Sequence, residues 1–387
     1  MRPLQGCRVV DACTYVAGPF ATMMLADLGA DVLKVEPPGG DPNRRFGLRH
    51  RGIGLLFVNT NRNKRSIELD GKDPADRALL RRLIAEADVF AENWRPGVAE
   101  RLGLANGELR RLNSRLIHLS VTGYGPDGPS ARRGAFDSVV QGVSGLAWHN
   151  RHDGRPELLR TYVADKVTST FAAQGVLAAL LRRERTGEGQ RVEVDMLGAA
   201  AYFNFPDLLA ERTVIGDDRP VEPEANPGQR TLIRAADGYL VVAPSSGAHV
   251  RRACEAVGHP EWVAELAGLR GFAELAPALM GRLESVTVSN TVAHWLAVFE
   301  ASDVPVGPVL DVDGHLADPQ VVHNGIYATA DHPQLGSLRA PRFPARIAGL
   351  GAPDEGYDPV PRYCEKMSAE RAWAGSPTKT TDPLWRM

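Results

Sequence analysis

The sequence predicts an α/β protein, with a doubly wound, mostly parallel, Rossmann-like sheet in a large domain and a second, smaller α+β domain. In the first third of the chain, short β-like runs alternate with helical stretches, a pattern typical of a parallel sheet with helices on both faces. Residues 216–228 are rich in Pro, Asp and Glu, and a hairpin-like segment and several helices follow them. This change of character indicates a linker between two domains.

The elements of the large domain alternate in order. The β-like runs are predicted at 7–11, 31–36, 66–70, 89–92, 116–121 and 190–194. The helical stretches are predicted at 20–28, 73–87, 98–104 and 166–183. The last of these helices carries little charge until its end, so we expect it to be buried.

Three domain segments follow from this pattern. Residues 1–215 form the N-terminal part of the large domain, 226–310 form the small domain, and 311–387 return to the large domain and end in a tail. From residue 351 the tail is rich in Pro, Gly, Ser and Thr and has weak periodicity. We expect it to wrap over a neighbour instead of building a core.

Composition and charge narrow the function. The 387 residues include 45 Lys+Arg and 47 Asp+Glu, a net charge of −2, which gives no field to recruit nucleic acid or an anionic membrane. The four cysteines are far apart and form no C-x-x-C pair, so we expect neither a disulfide framework nor a metal site. Every apolar stretch is shorter than the ~18 residues that a membrane span needs. We therefore expect a soluble cytoplasmic protein of the size of an enzyme.

Several common nucleotide and catalytic motifs are missing. Glu36 ends the second predicted strand, where a ribose-binding acid would lie, but the turn at 14–19 has no G-x-G-x-x-G. The glycine-rich stretch at 123–130 has no lysine to reach a phosphate. The chain also lacks G-x-S-x-G and H-E-x-x-H. The absence of these motifs disfavours a nicotinamide oxidoreductase, a P-loop protein, a serine hydrolase and a zinc protease.

A turn after the strand at 89–92 has the chemistry of a nucleotide site. It contains Asn93, Trp94 and Arg95, and Arg101 follows. Doubly wound sheets bind ligands at this carboxyl edge; a planar base can stack beside the indole, and guanidinium groups can pair with phosphates. The alternative is a surface turn with solvated arginines. The basic run at 61–65 adds positive charge, which alone indicates a solvated segment.

Asp165 directly precedes the predicted helix at 166–183. As an N-cap its carboxylate would accept amide hydrogen bonds and stabilise the helix by about 1 kcal/mol. The same position would keep the carboxylate ionised through the helix dipole and hold it at the edge of a cleft as a nucleophile. Both roles stay open at this point.

Taken together, these segments resemble the family III coenzyme A transferases, which include formyl-CoA transferase, carnitine CoA-transferase and α-methylacyl-CoA racemase. The resemblance is strong over about residues 4–205 and weak over 225–345. Its carriers match in order and spacing: residues 6–11, 17–19, 28–36, 40–41, 63–66, 87–89, 93–97, 123–125 and 187–190.

The resemblance implies a mechanism. Asp165 aligns with the family's nucleophile, which attacks the donor thioester to give a mixed anhydride; CoA thiolate then returns to form an aspartyl-CoA thioester, and the acceptor acid takes over the CoA. No tightly bound cofactor is implied, because coenzyme A and acyl-CoA are substrates. The partners implied are an acyl-CoA, a small carboxylic acid and a second copy of the chain.

The resemblance also implies contacts and an assembly. The positions that align with the family's CoA contacts are Val16, Ala17, Leu69, Lys72, Asn93, Trp94, Arg95 and Arg101. The implied assembly is an interlocked homodimer of two ring-like chains, whose sites lie between the large domain of one chain and the small domain of the other.

Three features depart from the family pattern. Pro37 stands where some members carry a basic residue that contacts CoA. No glycine-rich loop over the nucleophile is evident, since residues 222–228 read EPEANPG in that region. A loop-like tail after Gly351 replaces the usual C-terminal helix.

Two alternatives remain. The racemase branch pairs its Asp with a His that moves an α-proton, but the Gly-His-Asp segment aligns here with residues 135–137, and Phe136 cannot accept a proton. His149 and His152 are off that motif and are predicted to be loop residues. The second alternative is a non-catalytic acyl-CoA-binding protein. We expect residues near Phe136 and the small domain to shape the acceptor pocket.

Overall fold

The computed structural model describes residues 2–209, 212–216, 231–269, 271–332, 334–345 and 347. The chain divides into two compact units: Met1–Ala210 with Gly325–Met387, and Glu211–Asn324. The segment 222–228 and the tail from 351, both singled out in the sequence, lie outside the described residues.

The described strands are short and are spread over both units. In chain order they are β1 (Arg8–Asp11), β2 (Asp31–Glu36), β3 (Arg49–His50), β4 (Ile53–Gly54), β5 (Lys64–Glu68), β6 (Val89–Glu92), β7 (Ile117–Thr122), β8 (Arg191–Asp195), β9 (Leu232–Arg234), β10 (Tyr239–Val242), β11 (Val306–Pro308), β12 (Tyr327–His332) and β13 (Gly336–Pro341).

The described helices range from one turn to nearly seven. In chain order they are α1 (Ala17–Asp27), α2 (Leu55–Asn61), α3 (Pro74–Ala85), α4 (Val98–Arg101), α5 (Asn106–Leu112), α6 (Asp137–Val143), α7 (Leu146–His149), α8 (Val163–Thr186), α9 (Met196–Leu208), α10 (Gly247–Ala256), α11 (Trp262–Leu266), α12 (Gly271–Thr287), α13 (Val292–Ala301), α14 (Val312–Ala317) and α15 (Pro319–His323). None of these helices combines the length and apolar character that a bilayer crossing requires.

The first unit is built on a six-stranded sheet in the order β5-β2-β1-β6-β7-β8. Every neighbouring pair in it is parallel, so the predicted parallel α/β sheet is confirmed. The chain moves outward from β1 to β5 on one side and from β6 to β8 on the other. The strand order therefore reverses between β1 and β6, the place where open α/β sheets form a crevice at their carboxyl ends.

The core of this unit lies on both faces of the sheet, because successive strand residues point to opposite sides. The face toward α1 and α8 buries, among others, Val9, Ala21, Ile117, Ala172 and Val176. The opposite face, toward α3 and α5, buries Val10, Leu33, Ile84, Phe90 and Leu109.

The second unit has its own core. Its antiparallel sheet has the order β11-β10-β9, and β9 and β10 form a hairpin around Asp237 and Gly238. Helices α10 to α13 follow in the sequence. Their shared core includes Ile233, Leu240, Leu279, Leu283 and Phe299.

The long helix differs from its prediction in two ways. It begins at Val163, not at residue 166, so Asp165 is the third residue of its first turn and not the residue before the helix. The N-cap is Tyr162, whose side chain makes no capping hydrogen bond. The helix is also not buried all round: small residues face the sheet, but Leu181 is 58% exposed.

Candidate active site

The turns after β1 and β6 meet at the point where the strand order reverses. The Thr14 amide donates to Asn93 Oδ1 at 2.8 Å, and Asn93 Nδ2 donates to the Thr14 carbonyl at 2.7 Å. The Asn93 side chain thus pairs with the Thr14 backbone as a neighbouring strand would, and it fixes the turn after β6 to the turn after β1. Between them, Tyr15 has a φ of 65°, the left-handed region that non-glycine residues seldom adopt.

Two buried lysines hold this turn from below. Lys34 Nζ donates to the Cys13 carbonyl at 2.8 Å and lies 3.0 Å from Asp41 Oδ2. Lys64 Nζ donates to Asp11 Oδ2 at 2.8 Å. Burial opposes ionisation of Asp11, but Lys64 and Lys34 outweigh it and hold its pKa well below the usual range. The turn after β1 is therefore supported by a buried network of paired charges.

This network corrects the interpretation of the basic run at 61–65. Lys64 is 1% exposed and Arg62 is 7% exposed, and Arg62 Nε donates to Asp27 Oδ1 at 3.0 Å. These two cations are structural, and they are not a solvated positive patch. Lys64 is the first residue of β5, which pairs with β2, and its side chain is buried against Asp11; the sequence pattern predicts this strand two residues too late.

The acid at the end of β2 is also already paired. Arg44 donates to both oxygens of Glu36, each at 2.6 Å, and the Asp41 amide adds a bond of 2.8 Å to Oε2. Burial opposes ionisation, but Arg44 lowers the pKa of Glu36 below its ordinary value. Glu36 therefore anchors the loop after β2 and has no oxygen left for a ribose of the dinucleotide type.

The turn after β6 presents the predicted aromatic and basic groups at the carboxyl edge. Trp94 is half-buried, its ring lies edge-on to Phe90 at 5.9 Å, and its amide donates to Glu92 Oε2 at 2.8 Å. Gly97, with a φ of 90°, starts α4. Arg95 and Arg101 are exposed, so their guanidinium groups are accessible at the crevice.

The other predicted contact residues are distributed over two places. Val16 is the N-cap of α1 and Ala17 its first residue, and both are buried. Leu69 is buried after β5, where its amide donates to the Glu36 carbonyl at 2.9 Å. Lys72 is exposed, and its amide donates to Asp70 Oδ1 at 2.9 Å. Val16, Ala17 and Asn93 thus surround the strand-order reversal, whereas Leu69 and Lys72 lie at the outer strand of the sheet.

The start of α8 lies against the start of α1 and α6. Ser169 Oγ lies 2.7 Å from the Ala17 carbonyl and 2.7 Å from the Asp165 carbonyl. The Asp165 amide donates to Asp137 Oδ1 at 3.1 Å. These contacts bring the predicted nucleophile to the same crevice as Ala17.

The carboxyl group of Asp165 is not held ionised as the sequence predicts. Burial, and to a smaller extent the charge of Asp137, together raise its pKa from 3.8 to about 7, against the lowering effect of the hydrogen bond from the backbone amide of Ala17. The dipole argument fails because Asp165 sits inside the first turn against packed neighbours, where desolvation outweighs the helix terminus. Perturbed acids of this kind are concentrated in functional clefts.

A clamp behind Asp165 was missed by the sequence analysis. Asp137 is 6% exposed, and its Oδ2 accepts from Gln141 Nε2 at 2.6 Å. Gln141 also accepts the Leu159 amide at 2.9 Å and donates to the Thr161 carbonyl at 3.2 Å. The clamp fixes the segment that leads into α8. In the sequence, Asp137 follows Phe136 at the start of α6, and no local feature distinguishes it from an ordinary Asp in the first turn of a helix.

An aromatic pair stands beside this clamp. The rings of Tyr15 and Phe136 meet edge to face, with centroids 5.4 Å apart, and remain 40% and 56% exposed. Tyr15 is two residues before Ala17, and Phe136 directly precedes Asp137; Ala17 and Asp137 are the residues that contact Asp165. Of the two histidines predicted to be in loops, His152 lies in an exposed turn, but His149 is the last residue of α7, so that prediction was wrong for His149.

Among the residues that the structure describes, no three His, Cys, Asp or Glu side chains form a group able to hold a metal ion.

Comparison with known proteins gives a consistent result. A sequence profile of CoA-transferase family III matches residues 4–363. The acetyl-CoA:oxalate CoA-transferase of Acetobacter aceti is 34% identical over 381 residues, which cover 97% of this chain and 96% of that protein. The succinyl-CoA:glutarate CoA-transferase of Mus musculus is 33% identical over 361 residues, which cover 88% and 80%.

Solved structures agree with the sequence comparison. The orthorhombic crystal form of Rv3272 from Mycobacterium tuberculosis superposes with a TM-score of 0.76 at 30% identity, covering 90% of this chain and 93% of that one. A CAIB/BAIF family protein from Brucella suis gives the same values. The chain therefore belongs to CoA-transferase family III, and the protein is a CoA-transferase.

Proposed function

We propose that this protein moves coenzyme A from an acyl-CoA donor to a carboxylic acid acceptor through covalent intermediates on Asp165. One observation carries the proposal. Asp165 is a half-buried carboxyl group with a pKa of about 7, next to a backbone amide, in the crevice at the carboxyl ends of β1 and β6. A partly desolvated carboxylate at such a place is a competent nucleophile.

The reaction balances without an oxidant or a metal. The Asp165 carboxylate attacks the thioester carbonyl, the C–S bond breaks, and CoA thiolate leaves a mixed anhydride on Asp165. The thiolate then attacks the Asp165 carbonyl and releases the donor acid as its carboxylate. The acceptor carboxylate attacks the resulting aspartyl thioester, and the expelled thiolate finally attacks the acceptor's carbonyl. The products are a new acyl-CoA and the free Asp165 carboxylate.

The surroundings of Asp165 suit this sequence of steps. The Ala17 amide can donate to an oxygen that becomes negative when a carbonyl is attacked. Burial limits the access of water, which would hydrolyse the anhydride or the thioester. The clamp of Asp137 and Gln141 holds the backbone of the nucleophile so that it does not move with each change of covalent partner.

We assign the CoA contacts as the resemblance implies. The backbone at Val16 and Ala17 lies beside the reacting end, and Leu69 and Lys72, which follow the outer strand β5, are assigned to a more distant part of CoA. Asn93, Trp94, Arg95 and Arg101 supply an amide, an indole and two accessible guanidinium groups. Arginine pairs with phosphate oxygens in a two-pronged geometry, and an indole face accepts a stacked base.

The acceptor is a small carboxylic acid, and the Tyr15–Phe136 pair forms one wall of its pocket. Relatives are named for transfers to oxalate and to glutarate, so short dicarboxylic acids are the first acceptors to test. Succinyl-CoA, named as the donor of one of these relatives, is the first donor.

The active form is an interlocked homodimer that works in the cytoplasm. Helix α9 supports a partner on this surface, since Tyr202 is 66%, Phe203 55% and Phe205 46% exposed. On α8, Phe171 contacts Tyr202 edge to face at 5.2 Å. Isolated soluble chains seldom leave so many large apolar side chains together at the surface.

A racemase is the second candidate, but by alignment Phe136 occupies the position of its histidine, and a phenyl ring cannot accept a proton. The deciding experiment is intact and peptide mass spectrometry after incubation with succinyl-CoA. A transferase gives an adduct of CoA minus water on the peptide that contains Asp165, and Asp165→Asn gives none. Deuterium exchange at the donor's α-carbon in D₂O without any adduct would identify a racemase instead. Binding with neither signal would identify a non-catalytic protein.

A further inference from the structure

A cavity of about 340 Å³ opens at the edge of the six-stranded sheet opposite to Asp165. It lies at the amino ends of β7 and β8 and is closed by α5 and the last turns of α8. Its lining includes Arg110, His118, Arg182, Gln190 and Arg191. Its volume is within the range of small-molecule sites in proteins. Because Asp165 lies in the first turn of α8 and the cavity lies beside its last turns, most of the length of this helix separates the two places.

The lining is strongly cationic. Arg110 from α5, Arg182 from α8 and Arg191 from β8 contribute three guanidinium groups, and Glu188 is the single carboxylate among the lining residues. Arg191 is paired with Glu193 at 2.9 Å. Arg110 and Arg182 have no ion pair with any other residue that the structure describes. Two unpaired guanidinium groups beside one cavity favour an anionic occupant.

A buried imidazole on the lining lacks partners. His118 is 4% exposed, and neither ring nitrogen has a hydrogen-bond partner within the described part of the chain. The ring stacks on Phe90 at 5.5 Å, and Glu92 Oε1 is 3.6 Å from Nε2, beyond hydrogen-bond distance. Both ring nitrogens are themselves fully buried and do not open onto the cavity, so the imidazole forms part of the cavity floor and does not donate to an occupant.

The glycine-rich turn at 187–190 forms one rim of the cavity. A Cβ on Gly189 would lie 2.1 Å from the Leu116 carbonyl oxygen, and the Gly189 amide donates to the Ser114 carbonyl at 2.8 Å. Only glycine allows this approach, so the turn is pinned to the strand that carries His118. The turn holds Glu188 and Gln190 at the cavity.

We propose that this cavity is a second ligand site, which binds a small anion bearing phosphate or carboxylate oxygens. Arg110 and Arg182 pair with the anionic oxygens, and Gln190 provides a neutral side-chain amide in the same lining. The shared chemistry is a group with two or more oxygens that carry negative charge, and it is met by a free phosphate, a phosphate ester or a dicarboxylate. The site does not depend on the transferase mechanism proposed for Asp165.

The test is isothermal titration of the full-length protein after its acyl-CoA site has been saturated with CoA. Inorganic phosphate and succinate are titrated separately, so that the two arms identify the source of the anionic oxygens. We expect at least one of them to bind, and the double variant Arg110→Ala/Arg182→Ala to bind it about tenfold or more weakly, as the loss of charged hydrogen bonds predicts. Arg185→Ala is the matched control, since Arg185 is exposed on the same helix but does not line the cavity.

A second variant separates the arginines from the cavity floor. His118→Phe keeps a ring on Phe90 and removes only nitrogens that do not open onto the cavity, so we expect it to bind the anion as the wild type does while thermal unfolding stays cooperative. The proposal is overturned if neither anion binds the saturated wild-type protein, or if the double variant binds as the wild type does. Equal weakening by Arg185→Ala would also overturn it, because the effect would then be one of general surface charge.

Discussion

The backbone amide of Asp165 donates a hydrogen bond of 3.1 Å to Oδ1 of Asp137. One carboxylate thus fixes the main chain of the other residue and also raises the pKa of its side chain. The two effects are inseparable in the wild type, because both come from the same buried acid. The hydrogen bond governs the position of Asp165, whereas the pKa shift governs the pH at which its carboxylate becomes available as a nucleophile.

The first prediction concerns pH. The pKa of Asp165 is about 7, and the ionised form is the nucleophile, so kcat/KM for the acyl-CoA donor should fall as pH drops through about 7. In Asp137→Asn the repulsion is lost, and the limb should move to lower pH, by about 1 unit for a nearby charge. The maximal rate should also fall, since the new amide cannot accept from both Asp165 and Gln141. Asp127→Asn, an exposed acid in a loop, is the control. An unmoved limb would remove Asp137 from this role.

The second prediction concerns Arg95 and Arg101. Phosphates of CoA are bound equally in the ground and transition states, so Arg95→Ala or Arg101→Ala should raise KM for acyl-CoA about tenfold or more and change kcat little. Both side chains are exposed, so folding is not at risk. Steady-state kinetics with Arg185→Ala as the control decides the matter. A fall in kcat at constant KM would place these arginines at the reacting centre instead.

Comparison of sequence and structure shows which features were accessible to pattern reasoning. The order of the six strands of the parallel sheet along the chain follows from the alternation of β-like and helical runs, whereas the helices α2, α5, α6, α7 and α9 were not predicted from it. The carboxyl-edge location of Trp94 and Arg95 follows from the same reasoning, since the ends of parallel strands share one edge of the sheet.

Other features depend on tertiary contacts that no local pattern reports. Lys64 looks like part of a solvated basic run, and only the packing of β5 against β2 brings it to Asp11. The helix start was misplaced because Val163 and Ala164 carry no helix-start signal, and the pKa of Asp165 depends on Asp137, which is 28 residues earlier. Desolvation by distant segments is invisible in a window of sequence.

The third prediction tests the buried charge network. Lys64→Met leaves Asp11 without its nearest cation in a fully buried position. Without Lys64, the Asp11 carboxylate stays buried with less opposite charge to compensate for its lost hydration. The free energy of unfolding should therefore fall by about 3–5 kcal/mol. Urea unfolding measures this loss, and the exposed Lys72→Met should change it little. Equal stability of the two variants would show that the network does not support the fold.

The fourth prediction concerns assembly. If two chains are interlocked, dilution should not yield folded monomers, because separation requires at least partial unfolding. Sedimentation velocity over a wide concentration range, followed by circular dichroism on each sample, makes the measurement. A monodisperse folded species of 41.9 kDa would contradict the interlocked dimer.

The fifth prediction is that Asp165→Asn abolishes CoA transfer and leaves CoA binding and folding intact. The amide keeps the shape of the side chain but is a very poor nucleophile, so loss of the covalent route should lower the rate by several orders of magnitude. The folded-state pKa of about 7 lies above the ordinary value of 3.8, so the stability that Asp165 contributes is complete only at low pH and is lost as pH rises through 7. At pH 8 the Asn variant should therefore unfold no earlier than the wild type.

This pairing of readouts separates the nucleophile from a structural acid. Substitution of a residue needed only for folding would lower stability and activity together, whereas substitution of the nucleophile lowers activity alone. Isotopic succinate exchange into succinyl-CoA measures the transfer, and thermal unfolding at pH 5 and pH 8 measures the stability. Mass spectrometry of the intact protein must exclude deamidation of Asn back to Asp. Transfer near the wild-type rate by an intact Asn variant would show that the covalent route through Asp165 is wrong for this protein.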